Sequence, residues 1–92
     1  MYTITNYTRR RARQLNVTVK RATNRNKKID VYDKSGKKVA SIGATGYNDY
    51  PTFWKLYGKK YASRRRIQYK RRHTKDRMKY GTPGYYADKL LW

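Results

Sequence analysis

Apolar and polar positions change rhythm twice along this chain. From Lys28 to Asp33 they alternate, with β-branched Ile29 and Val31 on one face, the period-two pattern of a strand. Lys38-Val39-Ala40-Ser41-Ile42-Gly43 follows as a second strand. The intervening Asp33-Lys34-Ser35-Gly36-Lys37 is hairpin chemistry, with Gly36 free to take a positive φ. Upstream, Leu15 to Lys20 alternates in the same way and predicts a third strand, with Asn24-Arg25-Asn26-Lys27 as its turn. Thr8 to Leu15 reads as a short helix to which Arg9, Arg10, Arg11 and Arg13 leave no apolar stripe.

From Pro51 the period becomes helical. Tyr50, Trp54, Tyr57 and Tyr61 are spaced four, three and four, one face of a helix with Asp49 or Tyr50 at its N-cap and Pro51 in its first turn. Gly58 predicts a break or kink before a second helical stretch running from Lys59 to Lys79. On that stretch Tyr61, Ala62, Tyr69 and His73 share one arc, and basic residues take nearly everything else. Gly81-Thr82-Pro83-Gly84 is a turn, with Thr82 as N-cap and Pro83 as first residue of a short C-terminal helix whose apolar end is Tyr86, Leu90, Leu91 and Trp92.

Charge changes the picture from a small fold to a fold with a partner. Twenty-five Lys and Arg stand against five acidic residues, all Asp, for a net charge of +20 over 92 residues. Self-repulsion on that scale destabilises a compact chain unless an anion neutralises it. The excess is segmental: residues 1–28 carry +9, 29–54 are neutral, 55–80 carry +11 and 81–92 are neutral. Two cationic segments therefore bracket the β unit. The chain has no Cys, which removes disulfides and thiolate metal sites, and no apolar run suited to a signal peptide or a membrane span. Its 15% aromatic content, including eleven Tyr, argues for a folded domain rather than a disordered basic tail.

The cationic runs are the candidate chemistry. Arg64-Arg65-Arg66, Lys70-Arg71-Arg72, Lys75 and Arg77 form the denser cluster, with Tyr61 and Tyr69 interleaved. Arg binds phosphate oxygens bidentately, and each neutralised phosphate releases counterions, so such a cluster suits a nucleic-acid backbone better than a plain solvated face. Tyr61 and Tyr69 would stack on bases or pack beneath the charge, and Trp54, Leu90, Leu91 and Trp92 are the further docking residues. Arg9, Arg10, Arg11 and Arg13 are a second phosphate cluster, or else a localisation signal or an arm threading between subunits. His73 is the only His; with scattered Asp it makes no metal set, and with Asp76 it has no nucleophile beside it, so neither a metal, a cofactor nor catalysis is expected. Ile42 to Gly46 has two glycines but neither a dinucleotide fingerprint nor a P-loop ending, and reads as a tight bend.

Three stretches carry a resemblance: Ile42-Gly43-Ala44-Thr45-Gly46-Tyr47-Asn48-Asp49-Tyr50, Tyr69-Lys70-Arg71-Arg72-His73-Thr74-Lys75-Asp76-Arg77, and Gly81 to the terminal Leu90-Leu91-Trp92. Together they resemble a family of small basic proteins of large nucleocytoplasmic DNA viruses, including those of algae, over residues 28–92. The resemblance implies a viral setting, where abundant small basic proteins are commonly virion components, and carries over no site residue. The combined expectation is an α+β fold, with a basic arm at residues 1–14 and one domain at 15–92. That domain is a two- or three-stranded antiparallel meander packed by aromatics from the Tyr50 to Tyr61 helix, then a basic helix and a short docked C-terminal helix. The expected function is non-enzymatic: a virion protein, present in the host nucleus or cytoplasm during infection, that binds DNA phosphates without sequence specificity. The competing expectations are a minor capsid protein bridging coat subunits through acidic surfaces, with the tail around Trp92 carrying the contact, and an RNA-binding or ribosome-associated protein. Among nucleic acids DNA is expected ahead of RNA as partner, viral coat proteins are the partner of the first alternative, and no membrane or small-molecule substrate is expected.

Overall fold

Asp33 folds the middle of the chain back on itself. Its Oδ1 accepts the N–H groups of Ser35 and Lys37, both at 3.0 Å, and the Ser35 hydroxyl at 2.7 Å. The Ser35 hydroxyl bond, then the two N–H groups, hold its carboxyl below the usual carboxylate range. In the computed structural model, which describes residues 2–92, this loop joins β2 (Lys27–Tyr32) to β3 (Lys38–Ala44). Ile29 lies opposite Ile42 and Val31 opposite Ala40. β1 (Thr18–Arg21) pairs antiparallel on the other edge of β2, giving a three-stranded meander with β2 in the centre.

The central strand departs from the alternating expectation, because its polar face is buried as well. Lys28, Ile29, Asp30 and Val31 are all buried. Asp30 keeps its charge there through its neighbours. Burial pushes its carboxyl up, but the Ser41 hydroxyl at 2.5 Å, the Thr23 N–H at 3.3 Å and the Lys38 ammonium at 3.4 Å outweigh this and hold it below the usual range. A depressed carboxyl stabilises the fold above the unfolded pKa of about 4, and that stability is lost as pH falls through the lower folded value. Urea midpoints are therefore expected to drop below about pH 4, and Asp30→Asn to flatten that acid limb while lowering the neutral-pH midpoint.

The described residues form four α-helices beside the sheet. α1 (Asn6–Leu15) starts at Thr5, whose hydroxyl accepts the Thr8 N–H, and ends at Asn16 in the left-handed region. Residues 1–14, expected as an arm, contain most of this helix, which packs against β1 and against α4 (Pro83–Leu91). The stripe not seen in the sequence is Ile4, Thr8 and Ala12, at fourfold spacing: a threonine and an alanine do the packing. Thr8 Oγ1 donates to the Leu90 carbonyl at 2.7 Å and Arg11 Nε to that of Lys89, so α1 satisfies the last carbonyls of α4 and sets a cation at its negative end. The Tyr7 hydroxyl is buried with no hydrogen-bond partner among the described residues. Tyr7→Phe is expected to leave thermal stability unchanged or raise it by up to about 1 kcal/mol.

α4, rather than the Tyr50 helix, is the helix that covers the sheet. Leu91 lies against β3 at Gly43, where φ is +79° and an added Cβ would stand 2.9 Å from the Leu91 Cδ1 and 2.9 Å from the Lys28 Cδ. α2 (Tyr50–Tyr57) packs chiefly on α3 (Lys59–Arg72). It buries Tyr50 and Phe53, while Trp54 and Tyr57, which the spacing placed on its inner face, are exposed. Gly58 makes the expected break: at φ +93° it donates to the Trp54 carbonyl and turns the chain into α3. α3 stops at Arg72 instead of continuing to Lys79. Thr74 Oγ1 donates to the carbonyls of Lys70 and Arg71, competing with the helical ladder, and the chain passes through a 3-10 turn at Asp76–Met78.

Candidate nucleic-acid interface

The charge of the molecule is sorted by how its five carboxylates are used. Asp30 pairs with Lys38, Asp49 with Lys28, Asp88 with Lys70 and Lys89, and Asp76 with His73, while Asp33 holds the hairpin loop. The partners in these pairs are four lysines and a histidine. Arg9, Arg10, Arg13, Arg64, Arg65, Arg66, Arg71, Arg72 and Arg77 pair with no carboxylate among the described residues.

Twelve basic residues stood out in the sequence, and the structure divides them. Five have work inside the fold. Arg65 lies 5.1 Å from the Phe53 ring and Arg66 4.0 Å from that of Tyr50, both within cation–π range and half-buried. Lys70 binds Asp88 at 2.6 Å, Arg77 donates to the Lys70 carbonyl at 3.2 Å, and Arg11 is engaged with α4 and with Tyr7. These side chains brace helices against one another. The other seven, Arg9, Arg10, Arg13, Arg64, Arg71, Arg72 and Lys75, are exposed.

On α3 the exposed cations form a row. Lys60, Arg64 and Arg71 fall at i, i+4 and i+11, with exposed Ile67 at i+7, a stripe about 16 Å long at 1.5 Å per residue. Lys60 was missed in the sequence, although its fourfold spacing from Arg64 was there to be read. Lys20 and Arg21 were also missed: with Arg9 they line a surface depression of about 460 Å³ between α1 and β1, a proximity with no trace in linear order.

The docking aromatics separate in the same way. Trp54 is exposed, and Tyr61 is half-buried, 5.5 Å from Phe53 and 4.8 Å from Tyr57. Tyr69, Leu90, Leu91 and Trp92 are core residues. Tyr69 lies parallel to Trp92 at 4.3 Å and faces His73 at 4.4 Å. Burial first, and then the charges of Asp88 and Asp76, push the Tyr69 hydroxyl up to about 12, so it stays protonated. The three stretches that carry the resemblance meet here. Gly43, Tyr47 and Asp49, then Tyr69, Arg72 and His73, then Leu91 and Trp92 surround a cavity of about 340 Å³.

No three His, Cys, Asp or Glu side chains come together in a metal-binding group among the described residues. No described helix is long and apolar enough to cross a membrane. The fold and this surface define the class: a small, strongly cationic α+β protein with exposed arginines. Comparison with protein-family models, with curated proteins and with solved structures finds no match.

Proposed function

We propose that this chain is a non-enzymatic virion protein of a large DNA virus that binds DNA through its phosphates, without reading base sequence. The viral setting rests on the resemblance in the three stretches above. The binding reading rests on one observation: the buried carboxylates Asp30, Asp49 and Asp88 are paired with lysines, while arginines of α1 and α3 face outwards with no carboxylate partner among the described residues. Guanidinium groups left in that state suit the bidentate capture of phosphate oxygens. A surface that binds through phosphates alone is indifferent to sequence and governed by counterion release. Affinity for random-sequence duplex DNA, measured across a salt series, is expected to fall steeply and linearly on logarithmic axes; affinity that ignores salt would overturn the reading. The alternative of a coat-bridging protein held by its aromatic tail draws no support from that tail, since Leu90, Leu91 and Trp92 are buried in the domain's own core.

A further inference from the structure

The outer surface of the α2 and α3 hairpin is apolar and cationic at once. Trp54, Leu56, Tyr57 and Ile67 are 45%, 56%, 60% and 57% exposed. Lys55, Lys59, Lys60 and Arg64 are exposed on the same two helices, and Tyr50 to Arg72 contains no acidic residue. The cations lie within the aromatic surface: the Lys59 ammonium is 5.8 Å from the Trp54 ring and the Arg64 guanidinium 5.9 Å from that of Tyr61. Buried Tyr50 and Phe53 anchor the same helix, and Trp54 meets Tyr50 edge to face at 5.7 Å, so the exposed rings stand on a fixed element.

We infer that this surface is a stacking platform for the unpaired bases of single-stranded nucleic acid, with Lys59, Lys60 and Arg64 on the intervening phosphates; the inference rests on the polyanion reading above. Aromatic rings beside cations are the general means of holding single strands, because every base has a π face and the backbone supplies the charge. Bases inside a duplex are stacked on each other and cannot reach the rings. The platform therefore adds affinity for unpaired strands alone. Charge decides against other occupants. A second copy would set +20 against +20. Penetration into lipid would carry Lys59 and Arg64 into the hydrocarbon along with the rings they cover.

The two tryptophans make the test direct, since Trp92 is buried and Trp54 is the exposed reporter. The intact protein is titrated with oligothymidylate and with a random-sequence duplex of equal length, following tryptophan emission and affinity. Oligothymidylate is expected to quench the emission. Trp54→Ala should weaken oligothymidylate binding at least about fivefold and abolish most of the quenching, with Tyr57→Ala acting in the same direction. Trp54→Phe should recover affinity, because the ring and not the indole N–H carries the contact. Duplex affinity and the salt slope should stay as in the parent protein. The inference is overturned if Trp54→Ala leaves oligothymidylate affinity unchanged, if duplex binding falls equally, or if anionic phosphatidylserine vesicles quench Trp54 where oligothymidylate does not. Any of these leaves the phosphate reading standing; absence of salt-dependent binding to either nucleic acid removes that reading itself.

Discussion

Asp49→Ala is expected to destabilise the domain by about 3–5 kcal/mol, the cost of leaving a buried ammonium without its counter-ion. Asp49 is 1% exposed and its partner Lys28 7%, with 3.2 Å between Nζ and Oδ2. The same carboxylate accepts the Tyr2 hydroxyl at 2.8 Å and, as N-cap of α2, the Thr52 N–H at 3.1 Å. One side chain therefore ties the first residues of the chain, the central strand and the start of α2 together. Tyr2 stays a donor, because burial, then the Asp49 charge, raises its hydroxyl pKa far above the ordinary value. Lys28 keeps the Tyr47 carbonyl and the Tyr2 ring at 5.1 Å, neither of which neutralises it. A domain of this size has a total stability of about 5–14 kcal/mol, so the loss is a large share of the whole. Urea unfolding measures it. Adding Lys28→Met to Asp49→Ala should recover much of the loss, because a buried pair is replaced by apolar volume more cheaply than half of it is removed. A single-variant loss below about 1 kcal/mol would mean that the site rehydrates.

Local chemistry is what the sequence made legible. The Asp33 to Lys37 loop, the pairing of the two strands around it, the Gly58 break and the Thr82 cap all depend on neighbours in the chain, and all are present. What required the third dimension was packing. The alternation in β2 correctly placed Ile29 and Val31 on one face. Nothing local says that Asp49, far along the chain, would bury Lys28 on the other. α1 was legible as a helix but not as a packed one, because its stripe is built from Thr8 and Ala12, small residues that look neutral until Leu90 and its carbonyl are brought beside them. The aromatic spacing on α2 misled for a related reason. Tyr50 and Phe53 share the buried face and the cations of α3 lie over them, so Trp54 and Tyr57 are left outside. The cationic cluster was found as a cluster, but a run of arginines winds round a helix. Arg64 faces solvent, while Arg65 and Arg66 are turned onto rings.

That winding sets the second large effect. Replacing Arg64, Arg71, Arg72 and Lys75 together by Gln is expected to flatten the salt dependence of duplex DNA binding, by about 0.9 in logarithmic slope for each phosphate no longer neutralised. A protein that neutralises six to ten phosphates weakens by about 10³ to 10⁵ in affinity between 50 and 200 mM salt, and four phosphates account for about two orders of magnitude of that. The four side chains are exposed and pair with no carboxylate among the described residues, so their replacement leaves no buried group unsatisfied. Arg66→Gln is the contrasting variant. It removes a guanidinium 4.0 Å from the Tyr50 ring, in a chain of neighbours that runs through Tyr7 to Arg11, and should lower stability to urea by about 1 kcal/mol. Its salt slope should remain that of the parent protein. Equal slopes for the two variants would mean that α3 presents its charge to DNA as an undifferentiated mass. Different slopes would assign phosphate binding to the outer row and helix bracing to the inner one, although Arg64, Arg65 and Arg66 come from a single uninterrupted run of arginines.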